Sequence, residues 1–352
     1  NPPPFSNISI TQMRTTFTIL TLLLASSLFA QEEKPISMRL EARGDYKREY
    51  VDGQYQKDFS GFKGEMLDVY LQGSIGQKFS YKYRQRLNGI NRDYNFFDAT
   101  DWLYMAYSPS ERLTLMAGKW VVLTGCWEFD PAPIDVYQLG EFCYHFPCYN
   151  WGVNAIVSTK KGNDKFIAQV CESPFRRQYK QKNGEAGEMY AFNLVWYGNH
   201  GFYHSSSSLN LMAYAPGRYI TYLCLGNRFN IGRHIEWDVD FMNRAASGQP
   251  VFFRDCSIMS RFAYRFSPMV SAFAKASYDV NRTHTDKDLG LNQGTEITRV
   301  GAGVEFFPLK DDRVRLHANY SYAFGHNTTP HAVVRPKQSY FDIGLTWRMK
   351  IL

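Results

Sequence analysis

The sequence predicts an all-β fold: a transmembrane antiparallel β-barrel of about sixteen strands, its long third extracellular loop folded into the lumen. Three observations lead there. Apolar and polar residues alternate with period two in segment after segment, the signature of strands whose two faces meet different surroundings. The connections between those segments sort by parity, short after even strands and mostly long after odd ones. Aromatic residues make up 16% of the chain, with 24 Tyr and 26 Phe, yet mean hydropathy is only −0.39. Apolar surface is therefore abundant and finely interleaved with charge.

Taken in order, the chain first offers residues 1–12, read as an upstream extension before Met13. Residues 13–30, MRTTFTILTLLLASSLFA, hold one Arg, an apolar run and then small residues ahead of Gln31. That is the pattern of a secretory signal peptide. The run falls short of the ~20 apolar residues that a helical span needs, which favours a cleaved leader over an anchor. Residues 31–352 are assigned to the barrel, and no apolar run within them is long enough for a helical span. Six cysteines are too few for a disulfide scaffold. Cys143 and Cys148 are near enough to pair in an oxidising compartment; the alternative is buried apolar thiols.

Sixteen strands are expected near 36–46, 61–75, 77–89, 99–108, 111–120, 149–159, 164–173, 187–198, 204–215, 218–231, 233–245, 254–267, 269–281, 295–307, 312–325 and 338–350. The first sets Met38, Leu40 and Ala42 against Arg39, Glu41 and Arg43. The third sets Phe79, Tyr81 and Tyr83 against Lys78, Lys82, Arg84 and Arg86. The fifteenth sets Leu316, Ala318 and Tyr320 against Arg315, His317 and Asn319. A soluble sandwich would also alternate, with the apolar face inward, so alternation alone leaves both open. Connection lengths decide. After even strands lie IGQ, SPSE, KKGN, GNHG, IGR, SPM and PLKD; after odd ones lie segments such as NGINRDYNFFDAT and NRTHTDKDLGLNQG, with 215–217 a short exception. Bacterial barrels show this asymmetry.

The longest connection, 121–148, has no alternation. From Trp120 to Thr159 there is no Lys or Arg, but Glu128, Asp130, Asp135 and Glu141 are present, among many aromatics and three cysteines. A loop this long in a compact β protein is functional or disordered, and this one is too aromatic for disorder. A barrel of sixteen strands leaves an aqueous lumen that such a loop can narrow.

The basic residues expected to line that lumen are Arg39, Arg43, Lys78, Lys82, Arg84, Arg86, Arg313 and Arg315, with Arg261, Arg265 and Arg348 also on polar faces. Acidic residues on those faces are Glu41, Asp68, Glu236, Asp238, Asp240 and Asp342. Without Arg14, the chain carries 39 Lys and Arg against 33 Asp and Glu. Rings of wall charge set ion selectivity in a narrow pore; simple solvation of a wide lumen is the bland alternative. Glu128, Asp130, Asp135 and Glu141 are expected to face Lys78, Lys82, Arg84 and Arg86 across the constriction, which would set up a transverse field. His317, Asn319 and Ser321 share a face, but a nucleophile and base must meet within hydrogen-bond reach, and no such pair is apparent. No catalytic, cofactor or metal site and no nucleic-acid partner is expected, so the chain is not read as an enzyme.

The segment AGKWVVLTGCWEFDPAPIDVYQLGEFCYHFPCYNWGVNA, residues 117–155, resembles the third-loop region of Bacteroidetes outer-membrane porins of the phosphate-selective O and P type. The resemblance implies a sixteen-stranded, usually trimeric diffusion channel in the outer membrane, in contact with its lipid. In that family anion selectivity rests on Arg and Lys in the lumen and constriction; here the loop is acidic. The expectation is passive diffusion of small hydrophilic solutes with a mild anion preference, phosphate among the candidates. The alternative is a structural or adhesive barrel with an occluded lumen.

Overall fold

A computed structural model describes residues 36–89, 96–246, 252–284 and 287–352. The expected extension 1–12 and leader 13–30 lie outside the described residues. Sixteen strands follow the alternating segments: β1 (Ser37–Val51), β2 (Gly61–Ile75), β3 (Phe79–Arg86), β4 (Thr100–Ser110), β5 (Leu113–Val121), β6 (Tyr149–Ser158), β7 (Asp164–Glu172) and β8 (Tyr190–His200). They continue with β9 (Tyr203–Ala215), β10 (Arg218–Ile231), β11 (Ile235–Ala246), β12 (Asp255–Ser267), β13 (Val270–Asn281), β14 (Glu296–Phe306), β15 (Val314–His326) and β16 (Gln338–Lys350).

Each strand pairs antiparallel with its sequence neighbours. The ring closes where β1 meets β16 in a register that runs from Arg39↔Lys350 to Val51↔Gln338. Closure leaves no unpaired edge, the condition for strands to cross a bilayer. β1 runs past its expected end at residue 46, because its second half continues to pair with β16 and a short bridge at Gln54–Tyr55 folds back on it.

The two faces are those of a barrel turned outward. On β15, Leu316, Tyr320 and Phe324 are 45%, 51% and 45% exposed, while the intervening Arg315, His317 and Asn319 are buried. On β8, Leu194 is 59% exposed and Asn193 is buried. Apolar side chains out and polar ones in is the reverse of a sandwich, and it suits lipid outside and water within. Short connections gather at one rim and long ones at the other, the two-residue turn between β9 and β10 being a short exception on the long-connection rim.

An apolar cluster nonetheless sits inside. Phe142, Phe146, Phe175, Tyr222, Met212 and Met242 pack together with Cys126, Cys143, Cys171 and Cys224. It joins the connection between β5 and β6, including α1 (Glu141–His145), to the inward faces of β7 to β11. A second helix, α2 (Arg176–Asn183), follows β7. All six cysteines are free thiols, so Cys143 and Cys148 are not paired.

Candidate functional site

Residues 122–148 leave β5 and return to β6 through a closed neck, the Val122 N–H donating to the Cys148 carbonyl at 2.7 Å. The first arm lies along one wall. Asn210 and Ser208 on β9 donate to the Leu123 and Thr124 carbonyls, each at 2.6 Å. Gly125 and Cys126 both take φ of +67°, turning the chain so that the Cys126 N–H reaches the Ser206 carbonyl at 2.7 Å. Gly226 on β10 makes room for that turn: a Cβ there would lie 2.5 Å from the Ser206 oxygen and 2.8 Å from Cys126 Cα. The Glu128 N–H then donates to Asp240 on β11 at 2.8 Å.

The second arm reaches the opposite wall. Arg43 on β1 donates to the Val136 carbonyl at 2.6 Å. Asp135 is held by Arg315 at 2.7 Å and by Arg348 on β16. Gln138 donates to the Tyr320 carbonyl at 3.1 Å. Tyr137 lies with the Arg43 and Arg315 guanidinium carbons 4.5 and 5.4 Å from its ring centroid, and its hydroxyl donates to Glu305 on β14 at 2.9 Å. A loop bonded to inward side chains on both sides of the ring lies within it.

Between the arms, Glu128 is the internal brace. It pairs with Lys275 of β13 at 2.9 Å and accepts from the Gly140 N–H and the Cys143 thiol, both at 2.9 Å. Burial alone raises a carboxyl; here the Lys275 ammonium and these donors outweigh it and hold Glu128 below the usual range. Asp130 has less compensation: burial raises it, and the Arg228 charge only partly opposes that.

Two cavities flank the loop. The larger, ≈ 760 Å³, opens toward the long-connection rim, and the smaller, ≈ 340 Å³, toward the short-turn rim. Glu128, Pro131, Val136, Tyr137 and Leu139 line both, so this stretch of loop is the partition between them.

The expected basic residues fall into four groups. Arg43 and Arg315 touch the loop directly, as described. Arg39 pairs with Glu41 near the short-turn rim, and Arg313 with Asp311 in a short turn. Lys78 and Lys82 are exposed, and neither has an ion pair among the described residues. The expectation that Lys78, Lys82, Arg84 and Arg86 oppose the loop acids needs correction. Arg84 is fully buried between Asp68 at 3.0 Å and Asp101 at 3.2 Å, on the flanking strands β2 and β4, and Arg86 also pairs with Asp101. Charges that look unpaired along one strand find partners across the register.

The acids likewise have other partners. Glu128 meets Lys275, and Asp135 meets Arg315 and Arg348. Asp130 lines the smaller cavity beside Arg228. Glu141 is fully buried, accepting from the Val333 and Val334 N–H groups and contacting His145 at 2.6 Å. Lys275, Arg299 and Arg228 were not singled out by the sequence. For Lys275 a signal was available in the parity of β13, where it shares the inward alternation with Ser277 and Asp279; the inward neighbours of Arg228 and Arg299, such as Tyr222, Cys224, Ile297 and Gly301, are apolar or glycine and gave none.

A closed ring of sixteen antiparallel strands, apolar outside and charged inside with a loop across its lumen, defines an outer-membrane channel protein. The sequence model described as phosphate-selective porin O and P matches residues 36–215, and the chain belongs to that family. No curated protein matches the sequence. Among solved structures, OmpT of Vibrio cholerae superposes with a TM-score of 0.59 at 12% identity, covering 91% of this chain and 99% of that one. The channel DcaP of Acinetobacter baumannii gives 0.62 at 10%, covering 91% and 99%. OmpF of Salmonella typhi, solved with daunomycin, gives 0.62 at 10%, covering 89% and 97%. At such identities the likeness is one of fold.

Proposed function

We propose that this outer-membrane barrel is a passive channel for small hydrophilic solutes with a mild anion preference, and that residues 122–148 form its constriction. The observation that carries this reading is the pair of charged cavities in series. The outer one is lined by five basic side chains, Arg43, Lys47, Arg86, Arg299 and Arg335, against Glu49, Glu65 and Glu128. The inner one is lined by four, Arg228, Arg261, Lys275 and Arg315, against six acids that include Asp130, Asp135 and Glu236. A net positive entrance concentrates anions, while the acidic inner cavity keeps the overall preference small. Both cavities hold opposed charges across a narrow space, which suits dipolar solutes.

Phosphate falls within this reading as one anion among several. The guanidinium groups at the partition already hold carboxylates or carbonyls, and so do not form an open phosphate cradle. Assembly as a homotrimer fits the same reading, since OmpT of Vibrio cholerae has been solved in a trimer form. Chemical crosslinking of the purified protein tests that state.

The reversal potential in a salt gradient tests the selectivity. The wild type is expected to lie slightly to the anion side. Neutralising Lys47 and Arg335 shifts it toward cations, and neutralising Asp130 and Glu236 shifts it toward anions. The loop's bonds to both walls also favour a second reading, a structural barrel with an occluded lumen. Absence of conductance in a planar bilayer would select that reading and sink the first.

A further inference from the structure

Beneath Tyr137, three inward side chains from three adjacent strands converge: Asp45 of β1, His317 of β15 and Asp342 of β16. All are 3% exposed or less. The His317 Nε2 lies 3.2 Å from Asp45 Oδ1 and 3.3 Å from Asp342 Oδ1, and the three donor atoms all lie within 4.8 Å of one another. Gly344, opposite both Asp45 and His317 in the register, makes this convergence possible. A Cβ there would sit 2.1 Å from Asp45 Oδ1 and 2.7 Å from His317 Cε1.

The cluster is incomplete as a hydrogen-bonded unit. The ring nitrogen Nε2 faces both carboxylate oxygens and is aligned with neither as a hydrogen bond. Among the described residues, Nδ1 has no hydrogen-bond partner, and neither has Asp342 Oδ2. Arg43 holds both oxygens of Asp45, its Nη2 donating to Oδ2 at 2.7 Å and its Nε to Oδ1 at 3.1 Å, and the Asn319 amide donates to Asp342 Oδ1 at 2.8 Å. Among the described residues, no Lys or Arg lies within salt-bridge reach of Asp342. Unpaired buried polar atoms of this kind ask for an explanation.

We propose that Asp45, His317 and Asp342 bind one divalent transition-metal ion of the zinc class, through one imidazole nitrogen and two carboxylate oxygens. Ligands about 2.0 Å from a tetrahedral centre stand about 3.3 Å apart, and the two N···O edges are 3.2 and 3.3 Å. One nitrogen and two oxygens with a fourth position for water suit zinc. Calcium and magnesium take six or more oxygen ligands and fit poorly. Arg43 and Asn319 fix the orientation of the two carboxylates by donating to them, as outer-shell groups do at such centres. The competing arrangement, a protonated imidazole between two carboxylates, would leave two buried N–H donors unaligned. The Tyr137 ring centroid lies 4.5 Å from that of His317, so an ion here would stiffen the wall against which the loop rests.

The test uses the purified, folded barrel, stripped with EDTA and titrated with cobalt(II) chloride and then zinc chloride. One equivalent of cobalt is expected to give the intense visible absorption of a four-coordinate ion, and one equivalent of zinc to remove it. His317→Gln and Asp342→Asn, each shown to be folded by heat-dependent gel mobility, should lose that absorption and weaken zinc binding by at least tenfold. Asp311→Asn, in a rim turn, should leave both unchanged. If one ligand variant does not fold, the other and the wild-type displacement decide. Wild-type protein without the four-coordinate band, or a band retained in a folded ligand variant, overturns the site.

Discussion

Replacing Lys275 with Met removes the one cation within salt-bridge reach of Glu128 among the described residues, and one donor to the Gln138 carbonyl. Both side chains of the pair are nearly buried, 10% and 6% exposed. Deleting one partner of a buried ion pair costs about 3–5 kcal/mol, because the other charge is left without compensation. Glu128 keeps the Gly140 and Cys143 donors, so the lower end applies. The strand ladders are untouched, and the cost falls on the seating of the loop. At about 1.4 kcal/mol per tenfold change, 3 kcal/mol shifts the loop's opening equilibrium by about two orders of magnitude. Chymotrypsin reads that opening, because the loop is rich in aromatic residues. Trypsin is a silent control, because no Lys or Arg lies between Trp120 and Thr159. Lys275→Met should be nicked within the loop far faster than wild type and should show noisier single-channel current. Adding Glu128→Gln should recover much of the loss. Equal chymotryptic nicking of Lys275→Met and wild type, with equal current noise, would refute the brace.

Two further outcomes test the faces and the charge of the lumen. Arg in place of Leu194, exposed in the middle of β8, should cost about 2–4 kcal/mol on urea titration in lipid vesicles, and about 0–1 in place of Phe202 at a turn; equal costs would contradict the lipid-facing band. Asp130, raised by burial, should take up its proton above the ordinary carboxylate range. The folded state binds that proton more tightly than the unfolded chain, so this group's contribution to stability grows as pH falls through the raised range. The lumen loses a negative charge there, and the reversal potential should move toward anions on acidification. Asp130→Asn should lack that step.

The strands were legible because period two is a local property, written in each segment without reference to its neighbours. β3 could be placed from Phe79, Tyr81 and Tyr83 alone. The partner of Arg84 could not, because Asp68 and Asp101 become adjacent only once β2, β3 and β4 adopt their register. The same limit hid the loop's contacts. Its acidity and aromatic content marked it as a buried segment, but which cations it meets depends on its path across the ring. Glu141 shows the difference: a carboxylate read as facing the lumen instead caps two backbone amides near Val333. Asp45, His317 and Asp342 are brought together only by closure of β1 on β16, which no local pattern announces.

Because the lipid-facing belt is assembled from every second residue, no strand is greasy along its own length. β15 carries Arg315 and His317 between Val314, Leu316 and Ala318. Lys or Arg at the centre of a helical span costs about 2.5–3.5 kcal/mol at the translocon, so such a segment passes through the inner bilayer instead of halting there. The scattered apolar side chains become a continuous hydrocarbon-compatible surface only when the last strand finds the first. Affinity for the membrane is thus withheld from the polymer and conferred by ring closure, which allows the chain to cross one bilayer and then settle in the next.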